Sequence, residues 1–300
     1  MKYSPILLFV YNRPGHTKKT VEALRKNKLA QKSNLFIFSD GAKGMKEKKQ
    51  VEEVRKYIKS ITGFKRIEII ERKKNLGLAS SIITGVTKII NKYGKVIVLE
   101  DDLVTSPAFL YFMNEILEKY KNSQKVFSIT GYNYPVRLMK IPNVYPYDIY
   151  FSTRAGSWGL ATWKDRWEKS DWEIKDYNNF LSDKRGQKEF NRGGQDMSHM
   201  LISQMEGKVD SWAIRWCYSL YKNNGLCVYP TKSYVDNIGL DNTGVHCGKT
   251  NKYSNKTLNT KIKINFPLKI KKNKKIIRNF RKVYKRSLKN YIKTAIKKVF

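Results

Sequence analysis

Strand-like and helix-like patterns alternate over the first 130 residues of this 300-residue chain. The strand patterns are short apolar or alternating runs at residues 5–11, 35–39, 66–71 and 96–99. The helix patterns, with apolar residues three and four positions apart, cover residues 16–27, 46–61, 78–93 and 107–120. This alternation predicts an α/β fold in which a mostly parallel sheet is covered by helices on both faces.

The composition changes after residue 130. Tyrosine and proline become frequent, and all six tryptophans lie between Trp158 and Trp216. Helices are predicted at residues 197–206 and 212–222, and a short strand at 226–229. We therefore divide the chain into residues 1–130, an aromatic-rich half at 131–248 that covers the end of the first sheet, and a tail at 249–300.

The tail concentrates positive charge. The chain has a formal net charge of +35 at pH 7, and residues 249–300 contain 19 Lys and Arg and no acidic residue. From Lys274 to Phe300 apolar residues recur at helical spacing, which is typical of a basic amphipathic helix on an anionic membrane surface. A helix docked on the protein's own core and a nucleic-acid-binding tail are the alternatives.

The cysteines and the apolar segments bear on the compartment. Cys217, Cys227 and Cys247 show neither a disulfide framework nor a zinc spacing, and this usage favours a reducing setting. No apolar segment approaches the roughly 20 residues that cross a bilayer, and the first apolar run is too short for a signal peptide. We therefore expect a cytoplasmic protein that is peripheral to the inner face of a membrane.

Three consecutive acids, Glu100, Asp101 and Asp102, follow the apolar strand at residues 96–99. Like charges at this distance repel, and each raises the cost of ionising its neighbour. A bound hard cation such as Mg²⁺ or Mn²⁺ would offset that cost. The carboxyl end of a strand is also where open α/β sheets bind ligands. The alternative is a solvated acidic turn that caps the next helix.

Four segments resemble the GT-A fold of nucleotide-sugar glycosyltransferases. They are PILLFVYNRP (5–14), FSDG (38–41), NLGLA (75–79) and LEDDL (99–103). Their order and spacing are similar to those of the N-acetylglucosaminyltransferase I family and of bacterial family-two-like sugar transferases. The resemblance implies a Rossmann-like sheet and an inverting transfer from a nucleoside-diphosphate sugar, with a UDP-sugar favoured. The acceptor would be a hydroxyl of a saccharide or of a lipid-linked glycan.

The resemblance also implies roles for the acids and for Arg13. Asp102 would bind Mn²⁺ or Mg²⁺ directly, Asp101 would contact the ribose or the waters of the metal, and Glu100 would bind donor hydroxyls. Arg13 would bind the diphosphate, since a guanidinium pairs well with phosphate oxygens. A surface arginine is the alternative for Arg13.

Three further residues belong to the donor side in the same resemblance. Asp40 would read the nucleotide base, although an aspartate before Gly41 is also a common turn former. Asn75 and Gly77 open the helix at residues 78–93, where glycine permits a close approach of the backbone to the nucleotide. A glycine at a strand–helix turn is also common without any ligand.

An inverting transfer needs a base that deprotonates the acceptor hydroxyl. Asp210 is our candidate, since its segment resembles the one that supplies the base in the family; the alternative is that it caps the helix at residues 212–222. Asp196 is the second candidate. Trp158 is a candidate acceptor platform. His246 is a further candidate for the metal shell, with a purely structural histidine as the alternative.

Two other functional classes stay open. A nucleotidyltransferase also uses paired acids and a metal, but it would carry a glycine-rich basic loop where this chain has Asn12, Arg13 and Pro14. A polyanion-binding protein would explain the charge but not an acidic cluster at the end of a strand. We therefore expect no specific nucleic-acid partner.

Overall fold

A computed structural model describes residues 3–243 and 250–285. Its strands are β1 (Ile6–Val10), β2 (Asn34–Ser39), β3 (Arg66–Glu71), β4 (Lys95–Glu100), β5 (Leu103–Thr105), β6 (Val126–Thr130), β7 (Ile149–Ser152), β8 (Leu160–Trp163), β9 (Leu226–Pro230) and β10 (Val235–Asn237). Its α-helices are α1 (Pro14–Arg25), α2 (Met45–Lys59), α3 (Leu78–Tyr93), α4 (Phe109–Lys119), α5 (Lys164–Trp167), α6 (Tyr177–Ser182), α7 (Lys184–Phe190), α8 (Met197–Met205), α9 (Trp212–Lys222) and α10 (Lys274–Val283). The α/β fold class is confirmed.

One sheet runs through both halves of the chain. Its strand order is β3-β2-β1-β4-β8-β6-β9-β7. The first four strands are parallel, as the alternating patterns predict. Strand β8 is antiparallel to both β4 and β6, and β9 is parallel to β6 and antiparallel to β7. The aromatic-rich half therefore extends the sheet in mixed orientation and does not only cover its end.

The chain order reverses direction around β1. Strand β2 pairs on one side of β1 and β4 on the other, so the crevice between the two following loops opens beside β1. Ligands bind at such a switch point in open α/β sheets. The same edge carries the ends of β1, β2 and β4, which are Val10, Ser39 and Glu100.

Strand β1 is buried on both faces, which gives this edge a rigid base. Ile6 and Leu8 pack in the apolar cluster that contains α1 and α4, while Leu7 and Phe9 pack in the cluster that contains α3 and α9. Successive side chains of a strand point to opposite faces. A continuous apolar run is therefore what a central parallel strand requires.

The described part of the tail lies on the core. Helix α10 buries Ile276 (0% exposed) and Phe280 (1% exposed) in the α3–α9 cluster. For this segment the structure shows the docked arrangement, and the rest of the predicted tail helix, from residue 286, lies outside the described residues. None of the helices in the described ranges is long and apolar enough to cross a membrane. Cys217 and Cys227 are buried free thiols; Cys247 falls outside the description.

Candidate functional site

A cavity of about 720 Å³ opens at the switch point of the sheet. The loops that follow β1, β2, β3 and β4 form one side, and α8 with the start of α9 forms the other. Nine of the residues that the sequence singles out line it: Arg13, Asp40, Asn75, Gly77, Glu100, Asp101, Asp102, Trp158 and Asp210. Asp196 does not line the cavity, and His246 lies outside the described residues.

Arg13 holds two of the three acids together. It follows β1 and precedes α1, whose first residue is Pro14. Its Nη2 donates to Asp101 Oδ1 and, at 2.9 Å, to Asp102 Oδ2. The Asp101 carboxylate also accepts a hydrogen bond from the backbone N–H of Tyr11 at 3.4 Å. The end of β4 is thus fixed to the loop after β1.

Burial and mutual repulsion oppose ionisation of the acids at the end of β4. Burial raises the pKa of Glu100 to about 8, and the charges of Asp102 and Asp101 act in the same direction. Burial raises the pKa of Asp101 as well, although the Arg13 guanidinium opposes that shift. Burial of Arg13 acts to lower its pKa, but the two carboxylates outweigh it and raise the value. One arginine therefore faces three carboxyl groups, and a further cation would relieve the remaining repulsion.

The donor set around Asp102 fits a hard divalent cation. Within residues 3–243 and 250–285 no group of three or more His, Cys, Asp and Glu side chains could hold a metal ion. Magnesium and manganese, however, typically use one or two carboxylates and take their other oxygens from phosphate and water. Gly239 lies so close that a Cβ built on it would overlap the Asp102 carboxylate. Because residue 239 is a glycine, no side chain at that position separates its backbone from the Asp102 carboxylate.

Strand β10 explains why Gly239 lies there. It pairs with β5, which directly follows the acids, and this places Asn237 opposite Leu103. The backbone N–H of Ile238 donates to the carbonyl oxygen of Asp102 at 2.9 Å. The Asn237 side chain accepts from the N–H of Gly239 at 2.8 Å. The segment at residues 235–239, which is remote in sequence, thus lies against the last of the three acids.

Asp40 and Asn75 connect the loop after β2 to the loop after β3 at the edge of the cavity. Asp40 accepts from the backbone N–H of Leu76 at 3.0 Å and from that of Gly41 at 3.1 Å. Asn75 donates to the carbonyl oxygen of Gly41 at 2.8 Å. The Asp40 carboxylate therefore holds the loop after β2 to the loop after β3, while it still borders the cavity.

Asp210 binds the start of a helix other than its own. Its Oδ2 accepts from the backbone N–H of Ala79, in the first turn of α3, at 3.2 Å. Arg215 Nη2 lies 3.9 Å from the other carboxylate oxygen. The cap of α9 is Ser211, which accepts from the N–H of Ile214, so the alternative that Asp210 caps α9 is wrong. Its side chain is 49% exposed and accessible from the cavity.

Asp196 has a different environment. Both of its carboxylate oxygens accept from the Arg154 guanidinium, at 2.8 and 2.9 Å. The ring of Tyr284 lies 3.9 Å from that guanidinium. The second candidate base is therefore held in an ion pair beside the cavity.

Trp158 contributes an aromatic wall. Its ring meets Tyr132 edge-on with the centroids 4.4 Å apart, and Tyr253 lies behind it at 6.4 Å. Sequence reasoning missed other lining residues, among them Tyr11, Lys43, His199, Met200, Ser203, Asn237, Gly239 and Thr243. The sequence pattern at residues 197–206 predicts a helix but does not indicate which of its side chains line a cavity.

The sequence is similar to one known protein family. The model of glycosyl transferase family 2 matches residues 6–181. No curated protein matches the sequence.

Three solved structures show low similarity to this chain. S. aureus TarS 1-349 has a TM-score of 0.44 at 9% identity, over 78% of this chain and 60% of that one. A mannosyltransferase from Pyrobaculum calidifontis, in complex with GDP-Man and Mn²⁺, has a TM-score of 0.37 at 11% identity, over 54% and 46%. A UDP-glucose pyrophosphorylase in complex with UDP-glucose has a TM-score of 0.39 at 12% identity, over 77% and 91%. Similarities at this level do not define an activity.

Proposed function

This chain belongs to glycosyl transferase family 2, and we propose that it transfers a hexosyl or N-acetylhexosaminyl group from a nucleoside-diphosphate sugar. A UDP-sugar is the preferred donor, and the acceptor is a hydroxyl of a saccharide or of a lipid-linked acceptor. The transfer inverts the anomeric configuration. The observation that carries the proposal is the cavity at the switch point, which Arg13 and the three acids line together with Asp210 and Trp158. The fold is the GT-A fold that the resemblance implies.

The donor side binds the diphosphate. Asp102, with Asp101 beside it, would hold Mn²⁺ or Mg²⁺, which when bound neutralises the leaving diphosphate as a Lewis acid. Arg13 keeps its charge because Asp101 and Asp102 stabilise it, so its guanidinium can pair with phosphate oxygens. Glu100 would accept hydrogen bonds from hydroxyls of the sugar.

The acceptor side carries the proton transfer. Asp210 takes the proton of the acceptor hydroxyl while the acceptor oxygen bonds to the anomeric carbon and the bond from that carbon to the diphosphate breaks. The N–H of Ala79 orients Oδ2, and Oδ1, which lies 3.9 Å from Arg215 Nη2, would take the proton. Trp158 offers an apolar face against which sugar C–H groups can pack. The half-exposed carboxylate supports this role, since a base must reach its substrate.

The basic tail supports a location as well. Its charge fits an enzyme that works on the cytoplasmic, inner face of an anionic membrane, where lipid-linked acceptors are presented.

Hydrolysis of a panel of nucleotide sugars, with and without manganese, tests the proposal without a known acceptor. Wild type is compared with Asp102→Asn, and Glu53→Gln on the exposed face of α2 is the matched control. We expect metal-dependent release of a nucleoside diphosphate that Asp102→Asn abolishes and the control retains. Formation of UTP from UDP-sugar and pyrophosphate would instead favour a nucleotidyltransferase. If no donor turns over and none shifts the melting temperature in the presence of metal, the proposal is wrong.

A further inference from the structure

A second cavity, of about 400 Å³, lies between α10 and the segment at residues 140–143. We call it the basic groove. Its lining consists of Lys140, Ile141, Pro142, Asn143, Lys275, Arg278, Asn279 and Lys282. It shares no residue with the cavity that holds the acids.

The groove collects positive charge without a counter-charge. Four of its eight lining residues are Lys or Arg, and none is acidic. No ion pair within the described ranges involves Lys140, Lys275, Arg278 or Lys282. The sequence outside those ranges contains no Asp or Glu. No acidic side chain of this chain therefore neutralises the groove.

The first turn of α10 is positively charged, although a helix N-terminus favours negative charge. A helix N-terminus favours anions, yet α10 begins with Lys274 and Lys275 and has no acid in its first turn. Asn273 caps the helix by accepting from the N–H groups of Lys275 and Ile276. Within the helix, Arg278 and Lys282 are four residues apart, a spacing at which like charges repel.

Buried side chains and one hydrogen bond fix the orientation of α10 on the core. Ile276 and Phe280 are buried in the core, and Asn279 donates to the carbonyl oxygen of Lys140 at 2.9 Å. The basic face is therefore held against residues 140–143. An external anion at this place would stabilise both the helix N-terminus and the clustered cations.

We propose that the basic groove binds the phosphodiester headgroup of an anionic phospholipid and so holds the protein on a membrane surface. Because the apolar face of α10 is in the core, the helix would contribute its cations to headgroups and would not insert into the bilayer. Val144, directly after the groove segment, is 84% exposed, and Ile141 and Pro142 line the groove itself. Apolar residues beside clustered cations suit the boundary between headgroups and acyl chains better than a soluble phosphate. This inference does not depend on the sugar-transfer proposal.

Co-sedimentation of the full chain with vesicles tests it. Phosphatidylcholine vesicles with and without phosphatidylglycerol are compared for wild type and for Lys275→Gln/Arg278→Gln. The matched control is Lys48→Gln/Lys49→Gln, which removes two exposed cations from α2. Each basic residue near an anionic surface changes affinity about fivefold, so the groove pair should weaken binding to the anionic vesicles by about 25-fold. The control should bind like wild type.

Three results would overturn the proposal. Unchanged binding by the groove variant would assign the membrane contact to other cations. An equal loss in the control would show that only net charge matters. If inorganic phosphate raises the melting temperature of wild type but not of the groove variant, and vesicles do not bind, the ligand is a soluble phosphate. A second pair, Lys140→Gln/Lys282→Gln, provides the same test if the first does not fold.

Discussion

At the scale of single residues, the proposed role of Arg13 is to pair with the acids and with the diphosphate of the donor at the same time. A guanidinium can contact two carboxylates and a phosphate with separate N–H groups, whereas an ammonium is a point charge. We expect Arg13→Lys to lower kcat/KM for donor hydrolysis by about 10- to 100-fold, the cost of about one hydrogen bond to a charged group. Arg25→Lys, at the far end of α1, is the control. Equal rates for both variants would mean that Arg13 does not touch the donor.

A pair of matched substitutions distinguishes the roles of Asp210 and Asp196. In Asp210→Asn the amide oxygen can still accept from the N–H of Ala79, so the fold should hold while donor hydrolysis falls by about 10²- to 10⁴-fold, the usual contribution of a general base. In Asp196→Asn the Arg154 side chain, which is only 12% exposed, loses its charge partner, and we expect a loss of about 3 kcal/mol in stability with kcat nearly unchanged. Steady-state kinetics and thermal unfolding of both variants show which of the two aspartates is the base. The reverse pattern would make Asp196 the base.

At the scale of elements, the docking of α10 on the core makes a measurable contribution to stability. We expect Phe280→Ala to lower the free energy of unfolding by about 3–5 kcal/mol, since it leaves a cavity among buried rings. The exposed neighbour substitution Arg281→Ala should change it by less than about 0.5 kcal/mol. Urea unfolding of both variants measures the difference. If Phe280→Ala is as stable as wild type, the apolar face of α10 is not docked in solution and is free for a lipid surface.

The elements also show what a single sequence can and cannot predict. The periodic runs of β1 to β4 and α1 to α4 were predictable because each element is long and regular. Strands β7, β8 and β10 are three or four residues long, and their antiparallel partners are remote in sequence, so no local pattern indicates them. The contact of Asp210 with Ala79 spans 131 residues and was not predictable. The grouping of Arg13 with the acids was, because both follow neighbouring parallel strands.

At the scale of the whole molecule, the shared sheet bears on the division at residue 130. Strand β4 pairs with β1 on one side and with β8 on the other, so residues 1–130 alone would expose a long apolar edge. The two apolar clusters likewise contain residues from both halves. We therefore expect residues 1–243 to unfold as one cooperative unit.

The positions of the tryptophans make this testable without labels. All six lie between Trp158 and Trp216, so their fluorescence reports only on the second half, whereas far-ultraviolet circular dichroism reports on the whole chain. The two urea transitions should coincide, because coincident probes are the signature of two-state unfolding. A fluorescence transition at lower urea than the dichroism transition would show that residues 1–130 stay folded without the second half. The site would then be assembled from two separately stable parts, and Asp210 could be lost while Arg13 and the acids stay in place.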